Sequence, residues 1–347
     1  MTNPVREASS AGRPAQQPGG AEAAPGSPVL MLPGQGSQFP SMGTPLYESD
    51  PRFRKALDDF LDAFGTGAGR LRDVWLNGSP QELARGPYAQ PLLFGIGYAA
   101  GTVWLDELGD AEVTLIGHSV GELAAATLAG VFDLGLAGAL LNERARLLEH
   151  APRGGLIACR GTAESVREQL GALDGSAWIA AENADNQCVV SCAEEDLSAT
   201  VRHLGSQGVP CMRAAATEPF HSPLLGPAAL EFEEFLARHE RCLSPARVRM
   251  VSAFSASRVS DREVLPAGFW TRQMAEQVNF WEALRRNFGS GPHTFVEIGP
   301  GTTLSMAARR LLSVRSGCST AVATMPRHRR EAEYGESIRR EIVESVR

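Results

Sequence analysis

Gly117-His118-Ser119-Val120-Gly121 is the pentad in this chain best suited to covalent chemistry. A serine hydroxyl becomes a useful nucleophile when a base takes its proton and donors await the oxyanion that its attack creates. The G-x-S-x-G spacing serves that end between a strand and a helix, where small neighbours let the serine occupy a sharp turn with its Oγ exposed. That context is present: the apolar run Val113–Ser119 leads into the pentad, and an Ala-rich helical stretch begins at Leu123. The N–H of Val120, opening that helix, is then aimed at the oxyanion and aided by the positive helix end. The competing interpretation is a glycine-bounded turn with a buried serine.

A second segment, Gly34-Gln35-Gly36-Ser37-Gln38, ends the apolar run that starts at Pro28. Loops at the carboxyl ends of parallel strands gather on one rim of the sheet, so this loop and the pentad are expected to meet. Either the Gln35 side-chain amide or a backbone N–H there supplies the second oxyanion donor, a contribution of about 3 kcal/mol in sites of this kind. Seven histidines compete for the role of base. His118 is expected to point to the other side of the strand. His150, His203 and His239 fall on polar helical segments, and His293 and His328 in a loop and the basic end. His221 stands in the proline-bounded, apolar segment Glu218-Pro219-Phe220-His221-Ser222-Pro223. A base has to reach the nucleophile and have its tautomer set by a third group. His221 is the candidate, with an ordinary turn histidine as the open alternative.

The elements that must position these residues follow an α/β pattern. The chain has 347 residues, 43% of them hydrophobic, enough for a large core. Residues 1–27, rich in Pro, Gly, Ala and Gln, read as a flexible tail. Strand and helix then alternate over 28–153 and 217–325, with helices expected at Phe53–Phe64, Pro91–Leu108, Leu230–Arg238, Phe269–Phe288 and Leu304–Leu312. Between them, residues 154–216 give the order βαββαβ of a ferredoxin-like unit. The fold class expected is therefore α/β: a large α/β-hydrolase-like parallel-sheet domain with an inserted ferredoxin-like subdomain, the crevice between them being the binding site. Residues 326–347 read as an Arg-rich solvated helix or tail.

Composition removes several function classes. Lys55 is the only lysine and lies in a polar helical stretch, which argues against a phosphate-binding lysine loop or a pyridoxal Schiff base. A net charge of −7 argues against general nucleic-acid binding. Apolar runs end well short of the roughly 20 residues a spanning helix needs, so no membrane segment is expected. Six scattered cysteines without zinc-ligand spacing are expected to be free thiols of a cytoplasmic protein.

Taken together, PGQGSQ (Pro33–Gln38), GHSVGELAAATLAGV (Gly117–Val131), NERARLL (Asn142–Leu148), FHSPLL (Phe220–Leu225), FWTRQM (Phe269–Met274) and FVEIGPGTTL (Phe295–Leu304) resemble the malonyl-CoA:acyl carrier protein transacylase family, which includes polyketide synthase acyltransferase domains. The resemblance implies Ser119 as acyl-accepting nucleophile, His221 as base, and Gln35 and the Val120 amide beside the oxyanion. It places a backbone carbonyl around Gln273 on His221, and Asn183 in the cleft. Arg144, which periodicity alone assigns to a helix surface, matches the arginine that holds the free carboxylate of malonyl-type units. A guanidinium can do this with two parallel bonds of roughly 1.5–3 kcal/mol each. Val120 and Phe220 resemble the malonyl-selective pattern, although EPFH stands where HAFH or YASH is common, leaving the acyl unit open.

The implied reaction is ping-pong transfer from CoA or a carrier, through acyl-Ser119, to the phosphopantetheine thiol of an acyl carrier protein or a polyketide synthase carrier domain. It implies no metal or prosthetic group in the enzyme, and no nucleic-acid or membrane partner. Further expectations are a monomer and a discrete enzyme serving carriers in trans. Rival functions are hydrolytic editing of acyl carriers, transfer of an unusual carrier-bound unit, and a catalytically silent carrier-binding scaffold.

Overall fold

The computed structural model describes residues 26–173, 177–325 and 330–346. All of the expected N-terminal tail except Gly26 and Ser27 lies outside the described residues, and Ser27 already opens a strand. The chain runs through β1 (Ser27–Leu32), α1 (Thr44–Ser49), α2 (Pro51–Phe64), α3 (Ala68–Asn77), α4 (Pro80–Leu83), α5 (Gly86–Leu108), β2 (Thr114–Gly117), α6 (Val120–Leu128) and α7 (Leu134–Glu149). The inserted unit follows as β3 (Gly154–Arg160), α8 (Ala163–Leu170), β4 (Ala177–Ala184), β5 (Gln187–Ala193), α9 (Glu194–Ser206) and β6 (Cys211–Arg213). The larger unit resumes with α10 (Gly226–Ala237), β7 (Arg249–Ser252), β8 (Ser257–Arg258), α11 (Ala267–Arg272), α12 (Phe280–Phe288) and β9 (His293–Pro300). It ends with α13 (Thr303–Ala308), α14 (Leu312–Arg315), β10 (Thr320–Met325) and α15 (Arg330–Val346).

The large sheet has the order β10-β9-β1-β2-β7-β8, parallel except for the β7–β8 pair. Its central strands β1 and β2 are continuous apolar runs because helices cover both faces. Phe53, Leu57, Phe60, Leu61 and Phe64 form one stripe of α2, packed on α5. Helix α5 is apolar nearly all round and correspondingly buried. It starts at Gly86, five positions before the expected Pro91, and carries that proline inside.

The small sheet has the order β4-β5-β3-β6, all antiparallel, which is the ferredoxin-like arrangement expected from the βαββαβ sequence. One face packs on α8 and α9 through Ile157, Val166, Val190 and Leu197, and the opposite face looks into the crevice. All six cysteines are free.

Three expectations needed correction. The single helix expected from Phe269 to Phe288 is two helices, α11 and α12. Between them Val278 leaves the helix to pair with the small sheet, its N–H donating to Ala180 O and its carbonyl accepting from Glu182 N, both at 2.9 Å. The helix expected over Leu304–Leu312 is likewise divided into α13 and α14. The C-terminal segment is more than a solvated tail, because α15 buries Ile338, Ile342 and Val343 against the core and packs on β10, a strand the sequence pattern did not reveal.

Candidate active site

Strand β2 delivers Ser119 to the rim of the large sheet. The residue has φ 54° and ψ −121°, a strained conformation for a non-glycine, at the entry to α6. The flanking glycines are there for space: a Cβ on Gly117 would lie 2.2 Å from the Glu122 N, and one on Gly121 2.2 Å from the Leu32 carbonyl oxygen. The Gly34 loop presses equally close, a Cβ at Gly34 lying 2.4 Å from the His118 carbonyl oxygen. The two glycine-rich segments therefore meet, as parallel-sheet topology requires.

Ser119 Oγ lies 2.8 Å from His221 Nε2, across 102 positions of sequence. The imidazole is fixed on its other side, Nδ1 donating to the Glu276 carbonyl at 3.0 Å, which leaves Nε2 as the acceptor for the serine proton. The His221 backbone N–H donates to Met274 O at 2.9 Å. The carbonyl closest to the imidazole belongs to Glu276, in the neighbourhood expected around Gln273, whose own backbone also acts on the ring, because the chain unwinds after α11 and turns these groups toward the histidine. Gln273 itself is buried outside the cleft wall, its amide nitrogen donating to Trp270 O at 3.1 Å. Burial, assisted by His118 and Arg144, holds the His221 imidazole down at about 3, so it is neutral at physiological pH.

Gln35 does not point its amide at the serine. Its Nε2 donates to Ala84 O at 2.9 Å and its Oε1 accepts from Gln90 Nε2 at 3.1 Å, while the backbone N–H of Gln35 has no hydrogen-bond partner among the described residues. Gln90 in turn accepts from Arg144 Nε. Arg144 is fully buried on α7, contrary to the helix-surface assignment that periodicity favours. Its guanidinium lies 5.6 Å from the Phe232 ring, and neither Nη1 nor Nη2 has a hydrogen-bond partner among the described residues. Burial lowers its pKa to about 9, still cationic at neutral pH. A buried cation with two unused donors is an anion site in waiting.

The crevice is a cleft of about 200 Å³, floored by the elbow and roofed by the β3–β5 face of the small sheet. Phe220 and Asn183 line it, as does His118. His118 was expected on the opposite side of the strand. The turn into the elbow instead swings it into the cleft, where Nε2 meets Asn183 Oδ1 at 2.8 Å. Glu218 leaves the cleft alone: it is buried and accepts from Gly86 N, capping α5. Sequence reasoning missed Gln90, Glu276 and this cap. Gln90 had a signal, a lone amide in the apolar run Ala89–Gly97, whereas a main-chain carbonyl leaves none.

Residues 29–343 match the profile of the acyl transferase domain family. The chain belongs to that family. It is 33% identical over 313 residues to polyketide synthase GfsA of Streptomyces halstedii, covering 87% of this chain and 4% of that protein. It is also 32% identical over 290 residues to the phenolphthiocerol synthesis polyketide synthase type I Pks15/1 of Mycobacterium marinum, covering 83% of this chain and 14% of that one. The chain thus spans only a small part of the length of these relatives. Among solved structures it resembles the acyltransferase domain from the second module of the salinomycin polyketide synthase, with TM-score 0.78 and 29% identity over 90% of this chain and 72% of that one. It shares the fold of the malonyl CoA-acyl carrier protein transacylase from Clostridium perfringens, with TM-score 0.77 and 22% identity over 91% of this chain and 98% of the other. This acyltransferase therefore has the architecture common to transacylases and polyketide synthase acyltransferase domains. Among the described residues, no helix is long and apolar enough to cross a membrane.

Proposed function

We propose that this acyltransferase moves a malonyl-type acyl group from a CoA thioester to the phosphopantetheine thiol of an acyl carrier protein or synthase carrier domain, through an ester on Ser119. The observation that carries this reading is the 2.8 Å contact between Ser119 Oγ and a neutral His221 whose other nitrogen is tied to a backbone carbonyl. Nε2 takes the Ser119 proton as Oγ bonds to the thioester carbon. The carbonyl oxygen, now negative, is received by the N–H groups of Val120 and Gln35. The C–S bond then breaks, the departing thiolate takes the proton from His221, and acyl-Ser119 remains. The carrier thiol repeats the sequence in reverse, giving its proton to His221 and releasing Ser119 Oγ.

Arg144 supports a carboxylated acyl unit. Its two unused donors, buried behind Gln90, match a free malonyl carboxylate in both charge and number of acceptors. Asn183 and Phe220 shape the space between, with Phe220 filling the room a branch at the α-carbon would need. Gln273 acts from outside the cleft through its backbone on the His221 imidazole, and the transfer calls on no metal or prosthetic group.

The test is intact-protein mass spectrometry with malonyl-CoA, methylmalonyl-CoA and acetyl-CoA, followed by addition of a separate holo carrier protein. One acyl mass on the wild type, none on Ser119→Ala, and discharge to the carrier thiol are expected. Release of free acid faster than carrier acylation would identify a hydrolase instead. Failure to form any acyl-enzyme would leave only a carrier-binding scaffold.

A further inference from the structure

Three cysteines of the small sheet stand on one rung. In the antiparallel register of β3 with its two neighbours, Cys159 lies opposite Cys188 of β5 on one side and opposite Cys211 of β6 on the other. All three project to the side of the sheet covered by α8 and α9, since Cys159 and Cys188 belong to the core there and Cys211 packs against it. The alternate residues of β3, Leu156 and Ala158, face the cleft instead. Cys192 lies opposite Gly155 and Ala177, with no cysteine across from it. Cys242 and Cys318 are exposed.

The two facing pairs differ in phase. Between β3 and β6, Arg160 N donates to Pro210 O at 2.8 Å and Ala214 N donates to Leu156 O at 2.7 Å. Hydrogen-bonded and non-hydrogen-bonded rungs alternate along an antiparallel ladder, so Cys159 and Cys211, the next rung in from Arg160 and Pro210, form a non-hydrogen-bonded pair. The Cα atoms of such a pair are about 4.5 Å apart and its side chains converge, within the roughly 4.4–6.8 Å that a disulfide spans. Between β3 and β5, Gly161 N donates to Asn186 O at 2.9 Å. Cys159 and Cys188, two positions along, are therefore a hydrogen-bonded pair, with Cα atoms about 5.5 Å apart and less convergent side chains.

We propose that Cys159 and Cys211 are a thiol modification site that closes to a cross-strand disulfide on reaction with a small-molecule disulfide such as oxidised glutathione. Access comes from the Cys211 end. Strand β6 is the three-residue edge of the sheet, and Cys211 is half-buried beside a surface hollow that it forms with Gly205, Gly208 and Pro210. Cys159 is buried, and the neighbouring Cys188 together with burial pushes its thiol up, so Cys211 attacks first. The Cys211 thiolate bonds to one glutathione sulfur, the glutathione S–S bond breaks, and a glutathione thiolate leaves. Cys159 then gives its proton to solvent, its sulfur bonds to Cys211 Sγ, and the second glutathione leaves as thiolate. Two protein thiols are oxidised and one glutathione disulfide is reduced to two thiols. Burial raises the Cys211 thiol too, so the exchange quickens as pH rises. The bridge pins the short edge strand whose continuation, through Ala214 in the cleft wall, leads to Phe220 and His221.

The experiment uses the full chain carrying Cys242→Ser/Cys318→Ser, which removes the exposed thiols. The folded protein is incubated with oxidised glutathione at about pH 8.5, near the ordinary thiol pKa, then alkylated, digested without reduction and mapped by mass spectrometry. Intact mass should fall by two hydrogens, one linked peptide pair should contain Cys159 and Cys211, and dithiothreitol should reverse both. Cys159→Ala should stop at a glutathione adduct on Cys211, and Cys188→Ser should leave the bridge intact. The oxidised protein should melt about 5 °C above the reduced one, because the bridge restrains the unfolded chain. A bridge between Cys159 and Cys188, a bridge that forms only in denaturant, or no bridge at all overturns the proposal. So does a bridge that persists in Cys211→Ser, and an unchanged melting temperature overturns the pinning of β6. The mapping itself alters no buried residue, so it decides the matter even where Cys159→Ala folds poorly.

Discussion

Replacing Arg144 by alanine should cost malonyl loading far more than acetyl loading. Arg144 is fully buried, holds Gln90 through Nε, and presents two η nitrogens without a partner among the described residues. A malonyl carboxylate accepting from both forms two charge-assisted hydrogen bonds, each of about 1.5–3 kcal/mol. Their joint loss is about 3–6 kcal/mol, or roughly 10²- to 10⁴-fold in the acylation rate constant over KM. Acetyl offers no carboxylate, so it gains nothing from those donors and leaves the buried cation unpaired. Its loading should fall only through the freed Gln90, which no longer braces Gln35, a neutral hydrogen bond of about 1 kcal/mol and under tenfold in rate. Gln90→Ala separates the two contributions, because it loosens Gln35 while leaving the guanidinium in place, so both donors should lose by a similar, modest factor. The assay is single-turnover acylation by quenched-flow and intact mass, with malonyl-CoA and acetyl-CoA at several concentrations. Equal losses for the two donors in Arg144→Ala would refute the carboxylate clamp, and so would retention of malonyl loading.

Acylation should be independent of pH between 5 and 8, since His221 stays neutral until about pH 3; a limb with its midpoint near 6.5 in single-turnover rates would contradict the buried-base geometry. Phe220→Ala should raise loading of methylmalonyl relative to malonyl by opening the cleft wall, whereas Glu218→Gln should leave that ratio unchanged, because Glu218 caps α5 and does not line the cleft. Competition between the two CoA esters, read by mass, checks both. Glu297 is buried with one oxygen accepting from Ser305 N and the other without a partner among the described residues, and burial raises it from 4.5 to about 7. The native state therefore holds this proton longer than the unfolded chain does, and its contribution to stability declines as pH rises from 4.5 to 7. Glu297→Gln keeps the acceptor and removes the charge, so its melting temperature relative to wild type should improve by a few degrees from pH 5 to pH 8; a constant difference would count against that sign.

Local chemistry alone determined much of this protein. The apolar run before Ser119, the glycines around it and the Ala-rich helix behind it specify a strand-turn-helix elbow, because each is a constraint on neighbouring residues. The alternation of strands and helices likewise marked the inserted βαββαβ unit, whose sheet order followed. Tertiary structure decided what depends on distance through space. Periodicity gave Arg144 a surface position, yet packing of α7 against α2 and α10 buries it. The break between α11 and α12 was hidden because residues 273–279 keep helical composition while the Met274 and Glu276 carbonyls are drawn to His221 and the Val278 N–H to the small sheet. Side-chain periodicity reports which face of an element is apolar, but it carries no information about which distant backbone will need its hydrogen bonds.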